Sequence, residues 1–277
     1  MFFSNVDDRD IKERIRVFRT DVEAGIGESE IVRSISSIFG DVFSFGTEAR
    51  FYEKGTRFYR ARSIPLDDTV IPLKTLRDVR DAWEPPLDCV RVQGRLNNVG
   101  QSILYCCPND FELAIDEARA RNSKYVAVMV YKAVRRIKVA VLGNYEESSL
   151  SKDDSTRMFY SFLDEEFSRL VSKGQEARYS ITRAIADTYF NYPEQDAWCY
   201  RSVQSPLKFN VAFLPNKSKV NLELIGAMIC EPSKNSSGSL CVKLVVEFDS
   251  KSGSALYHSI GSHEQNKIFP EITTSKI

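Results

Sequence analysis

Two segments near the start of the chain repeat apolar residues at helical spacing. In DIKERIRVF, Ile11, Ile15 and Phe18 share one face; in SEIVRSISSIF, after the capping residue Ser29, Ile31, Ile35 and Ile38 do the same. Gly40 is expected to end the second helix. From GTRFYRARS onward the pattern changes to short strands, prolines and loops. PNDFELAIDEARARN predicts a helix with its N-cap at Asn109 or Asp110 and its end near Asn122. Strands are expected over 125–131 and 137–142, joined through a basic turn. In STRMFYSFLDEEFSRLVSK, Phe159, Phe162, Leu163, Phe167 and Leu170 fall on one helical face, closed by Gly174. ITRAIADTYF reads as a further helix and AWCYRSVQ as a strand. NLELIGAMIC and LCVKLVVEF alternate as strands of a hairpin around EPSKNSSG.

Helices and strands follow one another without a regular βαβ rhythm. The expected class is α+β, with a mixed, largely antiparallel sheet, flanking helices and an N-terminal helical segment. The composition shift near Gly55 divides the chain into a helical segment over 1–55 and a main domain over 56–249, which includes the C-terminal hairpin. Residues 250–277 read as a polar, partly mobile tail. The N-terminal helices would serve either as an oligomerisation or docking element or as a cap packed on the same core.

Composition narrows the partners. In 277 residues, Lys+Arg and Asp+Glu each count 38, so the formal net charge is zero, which argues against a dedicated nucleic-acid binder. The longest apolar region, YVAVMVYKAVRRIKVAVLG, is broken by Lys132, Arg135, Arg136 and Lys138 and reads as buried strands, not a membrane span. MFFSNVDDRD has no basic region ahead of an apolar run, so no signal peptide is expected. The six cysteines show no CxxC spacing. A soluble protein of the reducing cytoplasm is the expectation.

Several chemistries lack their residues. The chain contains no G-x-x-x-x-G-K-[ST] and no G-x-G-x-x-G, and its two histidines, His258 and His263, lie in the expected tail. A histidine base or a histidine-rich metal site in the core is therefore not expected, and the metal set is empty. Arg, Glu, Ser, Tyr and Asn remain, a set that suits a phosphate-bearing substrate reacting through a cationic transition state. Glu117 lies at the edge of its helix's apolar stripe, either reaching into a half-buried cleft or pairing with Arg121 on the surface. Arg60 and Arg62 face one side of a strand, either to grip a pyrophosphate or to meet solvent. Tyr105, taken alone, reads as a core tyrosine more readily than as a ligand platform, and Ser202 has no base near it in sequence.

The order of three motifs adds what the single residues do not. FYRAR, then GRLNNVGQSILYCCPNDFELAIDEA, then WCYRSVQSP followed by FNVAFLP, resembles the RES-domain family, named for its Arg, Glu and Ser. The middle motif places Gly94, Arg95, Asn97, Gly100, Leu104, Tyr105, Ala114 and Glu117; the late one places Tyr200, Ser202 and Val203, with Asn210 downstream. Where the family usually has a proline before the motif serine, this chain has Arg201. Helix geometry selects Glu117 over its neighbour Asp116.

The resemblance implies a fold related to the ADP-ribosyltransferases and a toxin that consumes NAD⁺ by phosphorolysis or hydrolysis of the nicotinamide–ribose bond. NAD⁺ would be the substrate, inorganic phosphate a possible co-substrate, and a helix-turn-helix antitoxin the partner; a homo-oligomer stays open. It casts Glu117 as stabiliser of the ribosyl cation and Arg60 and Arg95 as holders of the pyrophosphate or phosphate. Tyr105 would stack on nicotinamide or ribose. Ser202 and Asn210 would hold the nicotinamide ribose, and Asn97 stands with the substrate-binding residues. Two other readings stay open: an ADP-ribosyltransferase that modifies a macromolecule, and a non-catalytic nucleotide-sensing or interaction module.

Overall fold

The structure is a computed structural model and describes residues 8–39, 48–143, 154–169, 171, 178–232 and 240–272. Ten strands form one sheet: β1 (Ala49–Tyr52), β2 (Arg57–Ser63), β3 (Leu104–Pro108), β4 (Val126–Ala133), β5 (Ile137–Leu142), β6 (Ala197–Arg201), β7 (Phe209–Phe213), β8 (Leu222–Glu231), β9 (Cys241–Phe248) and β10 (Ala255–Ser259). Their order is β1-β5-β6-β7-β3-β2-β4-β8-β9-β10, and each neighbouring pair is antiparallel except β5–β6. The described helices are α1 (Asp8–Glu23), α2 (Glu28–Phe39), α3 (Phe111–Glu117), α4 (Asp154–Ser168), α5 (Tyr179–Tyr189), α6 (Ser218–Asn221) and α7 (His263–Ile268). The α+β class with a largely antiparallel sheet is thus observed.

A flat sheet of this order would be impossible. Strands β4 and β5 are five places apart, about 24 Å at ordinary strand spacing, yet only residues 134–136 join them, a reach of about 14 Å. The sheet must fold over on itself, and its buried residues show that it does. Phe58, Met129, Tyr131, Val139, Cys199 and Phe213 form one core between the two halves. Alternate residues of the same strands face outward. Trp198, Tyr200 and Ala212 pack with α1, α2, α4 and α5, and Val126, Val128 and Val130 pack with α3 and Phe269. This two-sided burial accounts for the unbroken apolar run in β4, which periodicity alone cannot assign to strand or helix.

The N-terminal helices cap the same core, with Ile11, Phe18, Ile31 and Ile35 buried beside Phe162 and Ile185. Arg19 also pairs with Glu165 and Glu166 of α4. The boundary expected at residue 55 falls inside the sheet, because β1 pairs with β5. Residues 250–272 differ from the expected polar tail: β10 pairs with β9 along its length, and α7 follows, with Phe269 only 1% exposed. The local signal for α7 is Ser262, whose side chain caps the helix by accepting from Gln265 N. The expected helix ends at Gly40 and Gly174 and the turn of EPSKNSSG fall outside the described residues.

Candidate active site

Strands β2 and β3 make the site by failing to pair. Their ladder joins only Phe58 with Pro108 and Tyr59 with Cys107. Continued antiparallel pairing would set Arg60 opposite Cys106 and Ala61 opposite Tyr105. Instead β2 keeps its bonds to β4, β3 keeps its bonds to β7, and a wedge opens between them. A cavity of about 230 Å³ fills the wedge, lined by residues 59–61 of β2, 105–107 of β3, and Ala114, Glu117, Ala118, Tyr200 and Asn210.

Helix α3 carries Glu117 to this cavity at its last residue. Asp110 caps its start, accepting from Leu113 N at 2.8 Å, as the sequence suggested. Leu113, Ala114 and Ile115 are buried against the sheet. The helix stops at Glu117 and does not continue to Asn122. Arg119 takes a left-handed φ of 52°, and Ala120 N returns to Ile115 O, which ends the helix as a glycine cap would. Arg121 pairs with Asp116 and Glu112, so it is not the partner of Glu117.

Ser202 holds Glu117. Its hydroxyl donates to Glu117 Oε1 at 2.5 Å while its oxygen accepts from the backbone N–H groups of Gln204 and Ser205, both at 3.0 Å. With its acceptor positions occupied by two amides, the one hydroxyl proton is directed onto the carboxylate. Ser202 is 1% exposed and lies behind Glu117, so it contacts the carboxylate and not the cavity. Hydrogen bonds to charged groups contribute roughly 1.5–3 kcal/mol. Ser202→Ala should therefore lower kcat/KM by about ten- to a hundredfold, while leaving the fold intact by circular dichroism. Unchanged turnover would remove this role.

Arg60 faces Glu117's cavity from β2. One of its nitrogens donates to Trp83 O, and among the described residues it forms no ion pair. Tyr131 fixes the same turn by donating to Ala82 O, with its ring 5.2 Å from that of Trp83. Arg62 is instead turned to Thr75 O, and burial beside Arg60 lowers its pKa. Asn210 lines the cavity from β7 and accepts from the Cys107 thiol at 3.2 Å. Burial pushes the Cys107 pKa far up, so the thiol stays a donor. With Asn210 Oδ1 so engaged, its NH₂ is the group left for the cavity.

Tyr105 and the GRLNNVG loop hold one another. The Tyr105 hydroxyl donates to Asn97 Oδ1 at 2.9 Å and accepts from Leu96 N, leaving the ring as cavity wall. A Cβ at Gly94 would meet Asn97 Oδ1, so a larger residue there would have to displace the amide that Tyr105 bonds. Asn97 lies outside the first cavity, its NH₂ bonded to Asn98 O. Arg95 requires correction. Its guanidinium donates to the carbonyls of Glu166, Phe167 and Arg169 at the end of α4, and sits over Tyr179 and Tyr200 at 5.2 and 5.9 Å. A helix C-terminus leaves such carbonyls unpaired and attracts a cation, so Arg95 is occupied there and not free for a pyrophosphate.

A family model for the RES domain matches residues 75–226, more than half of the chain. This protein belongs to the RES-domain family. No curated protein matches it. At the level of the family, a RES domain carries a toxin-like, NAD-related function. The matched range includes Tyr105, Glu117, Ser202 and Asn210, whereas Arg60 lies upstream of it and reaches this RES domain's cavity through the sheet. Arg201, where a proline was expected, pairs with Asp164 of α4 and leaves Ser202 in place. Tyr59, Ala61, Ala118 and Tyr200 complete the wall. All four stand within the three motifs, but the sequence assigned them no role; only the wedge between β2 and β3 shows that they share one cavity. Among the described residues no helix is long and apolar enough to cross a membrane, and no cluster of three His, Cys, Asp or Glu could hold a metal.

Proposed function

We propose that this RES domain consumes NAD⁺ by breaking the bond between nicotinamide and ribose and passing the ADP-ribosyl group to phosphate or water. The observation that carries this reading is the carboxylate of Glu117, held by Ser202 at the wall of a cavity whose cation, Arg60, has no ion-pair partner among the described residues. Nicotinamide leaves from the pyridinium form, so the electron pair of the C–N bond neutralises the ring and no acid is needed. The ribosyl carbon gains oxocarbenium character, which Glu117 stabilises across the cavity. A water or phosphate oxygen then bonds that carbon and releases its proton to solvent. Arg60 takes the substrate's phosphate charge, the Asn210 NH₂ donates to the ribose or the carboxamide, and the Tyr105 ring supports the nicotinamide. Uncontrolled loss of NAD⁺ arrests growth, and an antitoxin is the neutralising partner that this function requires.

An NMR time course of the purified protein with NAD⁺, with and without inorganic phosphate, tests the reaction. Nicotinamide release that depends on phosphate and yields ADP-ribose-1″-phosphate identifies a phosphorylase. Release without phosphate, giving ADP-ribose, identifies a hydrolase. Label transferred from NAD⁺ to a macromolecule would mean a transferase instead, and NAD⁺ left intact throughout would overturn the proposal.

A further inference from the structure

A second cavity, of about 330 Å³, shares Arg60 and Tyr105 with the first. It lies between two loops that hydrogen bonds hold face to face. Gly100 N donates to Val90 O at 2.9 Å, and the Ser102 hydroxyl donates to Pro85 O. One wall is apolar, formed by Pro85, Val90, Val92 and Ile103. Gln101 faces it with one free function: its Oε1 accepts from Asn98 N at 2.9 Å, whereas its NH₂ has no hydrogen bond to a described residue. Arg91 also lines the cavity and, like Arg60, forms no ion pair among the described residues.

Two cations without carboxylates, an apolar slot and an amide donor describe the chemistry of a nucleoside diphosphate. We infer that this second cavity binds the ADP half of the dinucleotide, with Arg60 and Arg91 bracketing the diphosphate and the adenine lying on Val90 and Val92. The inference rests on the NAD⁺ reading of the first cavity and extends it to a specificity rule. The domain selects dinucleotides over nicotinamide mononucleotide, and Arg91 is a residue that enforces the choice. Arg91 and Val92 belong to the loop that forms one side of the second cavity, next to the Gly94–Gly100 motif.

Cys89 gives a readout that does not depend on turnover. It lines the second cavity, and it and Cys241 are the two exposed cysteines of the six. In the full chain, alkylation by iodoacetamide, followed by peptide mass spectrometry, should be slowed several-fold by ADP at Cys89 and unchanged at Cys241. Nicotinamide mononucleotide should protect neither. Arg91→Gln should abolish the protection by ADP and raise KM for NAD⁺ on the order of tenfold, the loss of one charge-assisted contact, with a much smaller effect on kcat. If ADP leaves Cys89 unprotected, or the mononucleotide protects it equally, the subsite is overturned even where NAD⁺ is consumed. Protection by ADP with NAD⁺ left intact upholds the subsite and overturns the reaction.

Discussion

Glu117→Gln should bind nucleotide as the wild-type protein does and consume NAD⁺ about 10²–10³-fold more slowly, the usual loss when an electrostatic stabiliser of a transition state is removed. The amide keeps the size of the side chain and still offers an oxygen to the Ser202 hydroxyl, so the cavity wall and its hydrogen bond survive. Only the negative charge goes, and it matters only once the ribosyl carbon becomes cationic. The loss should therefore appear in kcat, with KM nearly unchanged. Asp116→Asn is the matched control: its carboxylate is tied to Arg121 on the other side of α3, and turnover should stay within a few-fold. Full activity of Glu117→Gln in a folded preparation, or equal losses in both variants, would transfer the role elsewhere.

Phe58→Ala should destabilise the fold by about 3–5 kcal/mol, the range for truncating a buried phenylalanine. Phe58 is completely buried, and its ring meets those of Tyr52 and Phe213 edge-on at centroid distances of 5.3 and 5.5 Å. It therefore joins β1, β2 and β7 across the core that separates the two halves of the sheet. Urea denaturation followed by tryptophan fluorescence should show a lower midpoint with a similar slope. Leu207→Ala, at a side chain that is 93% exposed, should shift stability by less than about 0.5 kcal/mol. Equal shifts in the two variants would mean that the sheet halves are not held through Phe58.

The sequence made individual elements legible wherever the cause of an element was local. The Asp110 cap, the apolar faces of α1, α2 and α4, and the alternation of β8 and β9 all depend on neighbours within a few residues, and each was readable. The order of the strands was not, because β5 reaches β6 only after the segment that carries α4 and α5, and a folded-over sheet leaves no local trace. The site divides in the same way. Arg60, Tyr105, Glu117 and Asn210 were identified and do meet in one cavity. The bonds that set their neighbours' roles cross 71–103 residues of chain, as with Arg95 to Glu166, Ser202 to Glu117 and Cys107 to Asn210. A motif marked Arg95 and Ser202, but only their distant partners show that one secures a helix end and the other aims a carboxylate.

The two-rung contact between β2 and β3 sets cohesion against access. Each further rung would add backbone bonds to the sheet and would also shut the cavity that Glu117 and Arg60 line. A variant selected only for heat resistance has an easy route along this seam, and that route ends in a sturdier, inert protein. Substitutions in residues 60–63 and 104–106 are therefore where durability and catalytic competence should trade most directly.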